Sequence, residues 1–273
     1  MHGPRLFLKL TALSGGGLIF VQSACNQAST NPFSFNDYLL APVRVHLLSA
    51  RDSPAIQTTL TAKDITRILG KMNGVWAQAG LHFYLESLVR EEANAQEISP
   101  QTGEPTGRRW LLGLRPGQSK AANIFHIYYL KEMSVNGIYF PEAIFVKDTA
   151  SLRKVEGGID EPLPRVSSHE LGHAFSLPHR QNTTNLMASG TTGTGLNDEE
   201  ISQVREAARK FAWIERAPDL IEKANALFSA NKIQEAATLY SRLATIPLSV
   251  EQVELAKQRV AVATRTDSSS TTK

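Results

Sequence analysis

Four residues carry the chemistry that can be read from this chain: His169, Glu170, His173 and His179, within His169-Glu170-Leu171-Gly172-His173-Ala174-Phe175-Ser176-Leu177-Pro178-His179. Side chains four apart on a helix share a face about one turn apart, so His169 and His173 can direct both imidazoles at one metal ion. Glu170 points elsewhere on the turn, where its carboxylate can reach a water on that ion without being a ligand. In an H-E-x-x-H arrangement zinc takes the two histidines and the glutamate serves as general base. Pro178 disfavours further helix, so the chain can turn back and bring His179 to the same ion. Leu171, Ala174 and Phe175 make this helix substantially apolar, which fits poorly with a solvated helix of salt-bridged histidines. Eight residues beyond His179 stands Met187, in Asn185-Leu186-Met187-Ala188.

Three histidines at these intervals, followed by a methionine turn, resemble the metzincin zinc peptidases. The His179-to-Met187 interval, with Leu196-Asn197-Asp198-Glu199-Glu200-Ile201 opening the next helix, is similar to the matrixin-like members in particular. The likeness covers roughly residues 42–213, and its specific part runs from His169 to Ile201. It implies one catalytic Zn²⁺ ligated by His169, His173 and His179, with Glu170 moving the proton from water to the leaving amine. It implies Met187 as a hydrophobic floor beneath the imidazoles. Gly137, Ile138 and Tyr139 would belong to an edge strand above the zinc, with which an extended peptide substrate pairs through main-chain hydrogen bonds. Ser176 stands where the family usually has glycine, at a turn whose backbone tends to need positive φ. Serine there costs of order 1 kcal/mol.

The elements that must position these residues can be followed along the chain. Val43 to Leu48 alternates as a strand. Ala62 to Ala79 carries Ile65, Ile68, Leu69, Met72, Val75 and Trp76 at helical spacing and stops at Gly80. Leu81 to Val89 returns to strand character, residues 91–121 are rich in Pro and Gly, and Asn123 to Leu130 is a strong strand. Gly137–Phe140 and Ala143–Val146 read as two more strands around Pro141-Glu142. Pro164 suits the first turn of the helix that carries His169 and His173. The fold class expected is α+β: a metzincin-like catalytic domain with a mixed, mostly parallel twisted sheet, a backing helix, an active-site helix and a methionine turn, followed by a small α-helical segment.

Elsewhere the sequence is less specific. His46, His82 and His126 lie in strand patterns and read as core or surface residues. Asp148, Glu156, Asp160 and Glu161 surround Gly157-Gly158 without an EF-hand spacing, and read as a solvated acidic loop. After Trp213, residues 217–265 read as amphipathic helices faintly resembling one tetratricopeptide unit. One unit cannot bury its own face, so it must pack on the catalytic domain or on a protein partner. The Ser/Thr-rich residues 266–273 read as a disordered tail.

The start of the chain reads as an export signal over residues 1–24, with Arg5 and Lys9 before an apolar run from Leu10 to Val21. Ser23-Ala24 precedes Cys25, the one cysteine in 273 residues, which resembles a bacterial lipoprotein processing site. An ordinary secretory signal or an uncleaved anchor is the alternative. Residues 25–41 then form a polar tether, and the protein is expected in the bacterial cell envelope, lipid-anchored to a membrane, or else secreted. A net charge of +3 without basic blocks between aromatics gives no footprint for nucleic acid. The function expected is a zinc-dependent endopeptidase acting on protein or peptide substrates. A zinc amidase acting on cell-wall peptides is one rival. A non-catalytic envelope binding protein is another, against which the intact Glu170 argues.

Overall fold

The computed structural model describes residues 32–270 apart from residue 52, 95–106 and 118–119, with the backbone alone over 265–270. The signal segment 1–24, Cys25, the tether up to residue 31 and the last three residues of the tail lie outside the described residues.

The sheet has the order β2-β1-β3-β5-β4, built from β1 (Leu39–Ser49), β2 (Leu81–Glu92), β3 (Phe125–Leu130), β4 (Gly137–Phe140) and β5 (Ala143–Lys147). The pairs β1–β2, β1–β3 and β3–β5 are parallel, and β4 runs antiparallel to β5 at one edge. The two-residue β6 (Glu215–Arg216) pairs with Leu39 and Leu40, beside the end of β1 that β3 does not reach. β1 is buried along most of its length, as suits a central strand covered on both sides. Leu39, Ala41, Val43, Val45 and Leu47 face one core, while Leu40 and Leu48 face two others on the opposite side. β3 starts two residues later than the sequence pattern suggests, because Asn123 takes a left-handed φ of 64° that interrupts extended backbone.

The first face carries α1 (Ala62–Trp76) and α3 (Pro162–Ala174). Thr61 caps α1 reciprocally with Asp64, the side chain of each accepting from the backbone of the other at 3.3 and 2.9 Å. Ile65, Ile68, Met72, Val75 and Trp76 then fall on one buried face, packed with Val166, Leu171 and Phe175. Helix α3 begins at Pro162, two residues before the expected Pro164. Both prolines sit in the first turn, where a missing N–H breaks no helical bond. A short α2 (Arg108–Gly113) lies in the region where the sequence suggested loops, and α4 (Asp198–Lys210) follows the methionine loop.

Helices α5 (Ala217–Ser229), α6 (Ile233–Ala244) and α7 (Glu251–Ser270) close the opposite face at the start of β1 and β2. Leu220, Ala224, Leu239, Tyr240, Leu243 and Val253 form one core with Phe35, Tyr38, Leu40 and Tyr84. Burial of each larger side chain there contributes about 1.5–3 kcal/mol, so these helices belong to the fold. Two expected boundaries shift in consequence. The tether does not run to residue 41: Phe35 and Tyr38 are buried beneath α5–α7, and β1 already begins at Leu39. The tail does not begin at 266 as irregular chain, because no Gly or Pro interrupts Thr266–Ser270 and the helical backbone of α7 continues to Ser270. No described helix is long and apolar enough to cross a membrane.

Candidate metal centre

His169, His173 and His179 each present one ligand atom, and these atoms lie within 4.8 Å of one another. Among the described residues this is the one group of His, Cys, Asp or Glu that converges in this way. His169 Nδ1 lies 2.8 Å from the Leu186 carbonyl and His173 Nδ1 lies 2.8 Å from the Leu177 carbonyl. A carbonyl only accepts, so each Nδ1 carries the proton and each Nε2 keeps its lone pair for the centre. His173 Nε2 and His179 Nε2 stand 3.1 Å apart. Two nitrogens bound tetrahedrally at the usual zinc distance are separated by about 3.3 Å. Burial, opposed by the Leu186 carbonyl, pulls His169 down to about 3, and burial also lowers His173. Both are therefore neutral at physiological pH, the form in which imidazole binds metal. The donor set, its tautomers and its spacing fit zinc.

The third histidine arrives through the turn that ends α3. The Ser176 amide donates to the His173 carbonyl and the Leu177 amide to the Gly172 carbonyl, both at 2.9 Å. These two bonds define a Schellman cap, with Ser176 in its left-handed position at φ 67°. The backbone conformation expected there is present although the residue is serine. Beyond the turn, the Arg180 amide donates to the Met187 carbonyl at 2.9 Å, so the segment carrying His179 is tied to the methionine loop. Met187 is fully buried, and its sulfur packs against the backbone of Gly172, between the two helical histidines.

Glu170 lies on the cleft side of α3. Its carboxyl packs against Gly137 of the edge strand: a Cβ built there would come 2.7 Å from Glu170 Oε1 and would also collide with Val166. Only glycine leaves room for the carboxyl at that point. Burial pushes Glu170 up to about 8, and the nearby Arg165 cation opposes the rise. The cleft, of about 650 Å³, is lined by Gly137, Ile138 and Tyr139 on one wall and the three histidines on the other. The Tyr139 ring is 6.4 Å from that of His173. β4 pairs with β5 along one side only, so its other edge faces the cleft.

Sequence reasoning passed over four side chains that hold this arrangement. Arg165 is buried beneath the methionine loop. Glu200, also fully buried, accepts from Arg180 Nε at 2.6 Å, Asn185 Nδ2 at 2.8 Å and the Asn197 amide at 2.9 Å. Against burial, which would raise it, these donors hold Glu200 below the usual carboxylate range. The Asn197-x-x-Glu200 spacing, a capping box in the structure, was the available signal for Glu200. The remaining histidines lie away from the metal centre. His46 joins Glu91 at 2.6 Å to His126 at 2.9 Å on the far face of the sheet, and His82 Nε2 meets Thr245 Oγ1 at 2.9 Å. Of the acidic residues expected as a solvated loop, Glu156 and Asp160 are exposed, while Asp148, Asp160 and Glu161 also have partners. Asp148 accepts from Thr58 at 2.7 Å, Asp160 from Lys71 at 2.6 Å, and Glu161 from Arg67 and Lys71 of α1.

No protein-family model and no curated protein matches the sequence. The chain is similar to several solved structures. Archaemetzincin from Methanopyrus kandleri aligns at 13% identity over 62% of this chain and 96% of that one, with a TM-score of 0.43. Metalloproteinase-II from Bacteroides fragilis aligns at 13% identity over 62% of this chain and 53% of that one, with a TM-score of 0.37. A zinc-dependent peptidase from Methanocorpusculum labreanum aligns at 12% identity over 61% and 99%, with a TM-score of 0.29.

Proposed function

We propose that this chain is a zinc-dependent endopeptidase. The observation that carries the reading is the convergence of three imidazole nitrogens, with the Glu170 carboxyl held beside them against an open strand edge. His169, His173 and His179 would hold the ion. Zinc, when bound, supplies Lewis acidity that polarises a scissile carbonyl and brings the pKa of a water toward about 7. The chain's own residues do the rest. The main chain of Gly137, Ile138 and Tyr139 pairs with an extended peptide and lays its backbone across the cleft. Glu170, packed between that strand and α3, takes the proton of the attacking water and returns it to the leaving nitrogen. Met187, packed under Gly172, would form an apolar floor beneath the imidazoles.

A cleft walled by an unpaired strand edge is what a main-chain reader of extended peptides needs, and this favours protein substrates over cell-wall peptides. Incubating the purified protein with a proteome-derived peptide library, with and without a zinc chelator, tests the reading. Cleavage of internal peptide bonds that the chelator abolishes is the expected result. We further propose that the chain is exported and lipidated at Cys25, from the Arg5-to-Cys25 segment of the sequence. Labelled fatty acid should enter the wild type and not Cys25→Ser. A wild-type protein recovered unlabelled and soluble would reject the anchor.

A further inference from the structure

We propose that Arg165 is a positioning residue of the metal centre, clamping to α3 the loop that orients His169 and supports the site with Met187. The proposal rests on the zinc reading of the three histidines. Arg165 stands one turn before His169 on α3 and is 2% exposed. Its Nε–H donates to the Gly193 carbonyl at 3.1 Å, and Nη2 donates to the Ala188 carbonyl and, at 3.5 Å, to the Asn185 carbonyl. Those acceptors bracket Leu186 and Met187 on both sides.

Leu186 in turn accepts from His169 Nδ1 at 2.8 Å. The loop is therefore fastened to one helix at two points a turn apart, by Arg165 below and by His169 above. Moving the loop away from Arg165 shifts the carbonyl that fixes the His169 tautomer, and with it the sulfur beneath Gly172. Packing alone does not call for a cation here, since a buried guanidinium pays a desolvation penalty that an apolar side chain avoids. What the planar fork adds is simultaneous donation to several carbonyls at fixed angles, which neither lysine nor methionine reproduces. Arg165 nevertheless stays charged at neutral pH, because burial lowers its pKa only to about 10.

The test compares wild type with Arg165→Lys, Arg165→Met and a control, Leu239→Ala, which opens the α5–α7 core without touching the loop. Two readouts are taken well below each unfolding temperature: zinc affinity by competition with a chromophoric chelator, and the visible spectrum of the cobalt(II)-loaded protein. Partners of metal-ligating histidines typically matter tenfold to a hundredfold in affinity. Both Arg165 variants are expected to lose about tenfold or more in zinc affinity and to change the cobalt spectrum. Leu239→Ala should unfold earlier with both readouts unchanged. If Arg165→Met does not fold, Arg165→Lys decides alone. Arg165 variants with wild-type zinc affinity and cobalt spectrum overturn the proposal and leave the zinc reading intact. A folded wild type that binds no zinc overturns both.

Discussion

The backbone of Gly172 lies directly on the sulfur of Met187: a Cβ at residue 172 would come within 2.5 Å of Sδ and 3.1 Å of Cε. The glycine inside the motif helix and the methionine fifteen residues later are thus halves of one contact. It sets how closely the methionine loop approaches the helix that bears two of the histidines.

Gly172→Ala should therefore destabilise the fold, although alanine normally favours a helix over glycine by up to about 1 kcal/mol. Overpacking a buried contact costs about 1–3 kcal/mol, and Met187 is fully buried with little room to yield. Denaturant unfolding of Gly172→Ala, Met187→Ala and the double variant checks this. The double variant should be more stable than the sum of the single losses implies. Strict additivity would mean the two residues are uncoupled.

Ser176→Gly should raise stability by about 0.5–1 kcal/mol, because glycine removes the left-handed strain at φ 67° and gives back part of it in unfolded-chain entropy. Ser176→Val should lower stability by more than that. Thermal unfolding of both variants is sufficient, and a less stable glycine variant would show that the turn is not strained.

The histidine cluster is legible in the sequence because helical period alone puts His169 and His173 on one face, while His179 and Met187 follow at intervals that resemble a known pattern. The main sheet strands and α1 are legible for a similar reason: their apolar residues recur with period two or 3.6. Arg165 and Glu200 are different. Arg165 is secured by carbonyls twenty or more residues away, and a backbone carbonyl leaves no trace in residue identity. Phe35 and Tyr38 look like part of a polar tether until α5–α7, nearly two hundred residues later, supply the surface that buries them. The ion pairs of Asp160 and Glu161 leave no sign in the sequence because Lys71 and Arg67 reach them from a distant helix. What depends on partners remote in the chain needs the fold.

Glu200→Ala should cost about 2–3 kcal/mol. Breaking a buried ion pair costs about 3–5 kcal/mol, and Arg180, whose side chain is 36% exposed, recovers some hydration. The loss should also weaken zinc retention, since Arg180 and Asn185 flank His179 and Met187. Unfolding and zinc competition on one preparation check both effects. A change below about 0.5 kcal/mol would place Glu200 among ordinary surface residues.

His82 gives a pH signature of its own. It is fully buried, and burial pulls it down to about 3, against an unfolded value of 6.5. Its folded pKa is depressed, so its contribution is complete above pH 6.5 and is lost as pH falls from 6.5 toward 3, where only the unfolded chain takes up the proton. The slope approaches about 1.4 kcal/mol per pH unit for one proton. His82→Gln should unfold with a shallower pH dependence than wild type between pH 6 and 4. Parallel curves would show that His82 takes up its proton in the folded state.

The most direct test is Glu170→Ala, measured for peptide turnover, zinc content and unfolding on the same preparation. Glu170 lies beside the three histidines and against Gly137 without joining the ligand cluster. Its removal should leave zinc content and melting temperature near wild type while turnover falls at least about a hundredfold, the usual scale for a general base. A Glu170→Ala protein that holds zinc and cleaves peptides as fast as wild type would contradict the account. So would one that loses its zinc together with its activity.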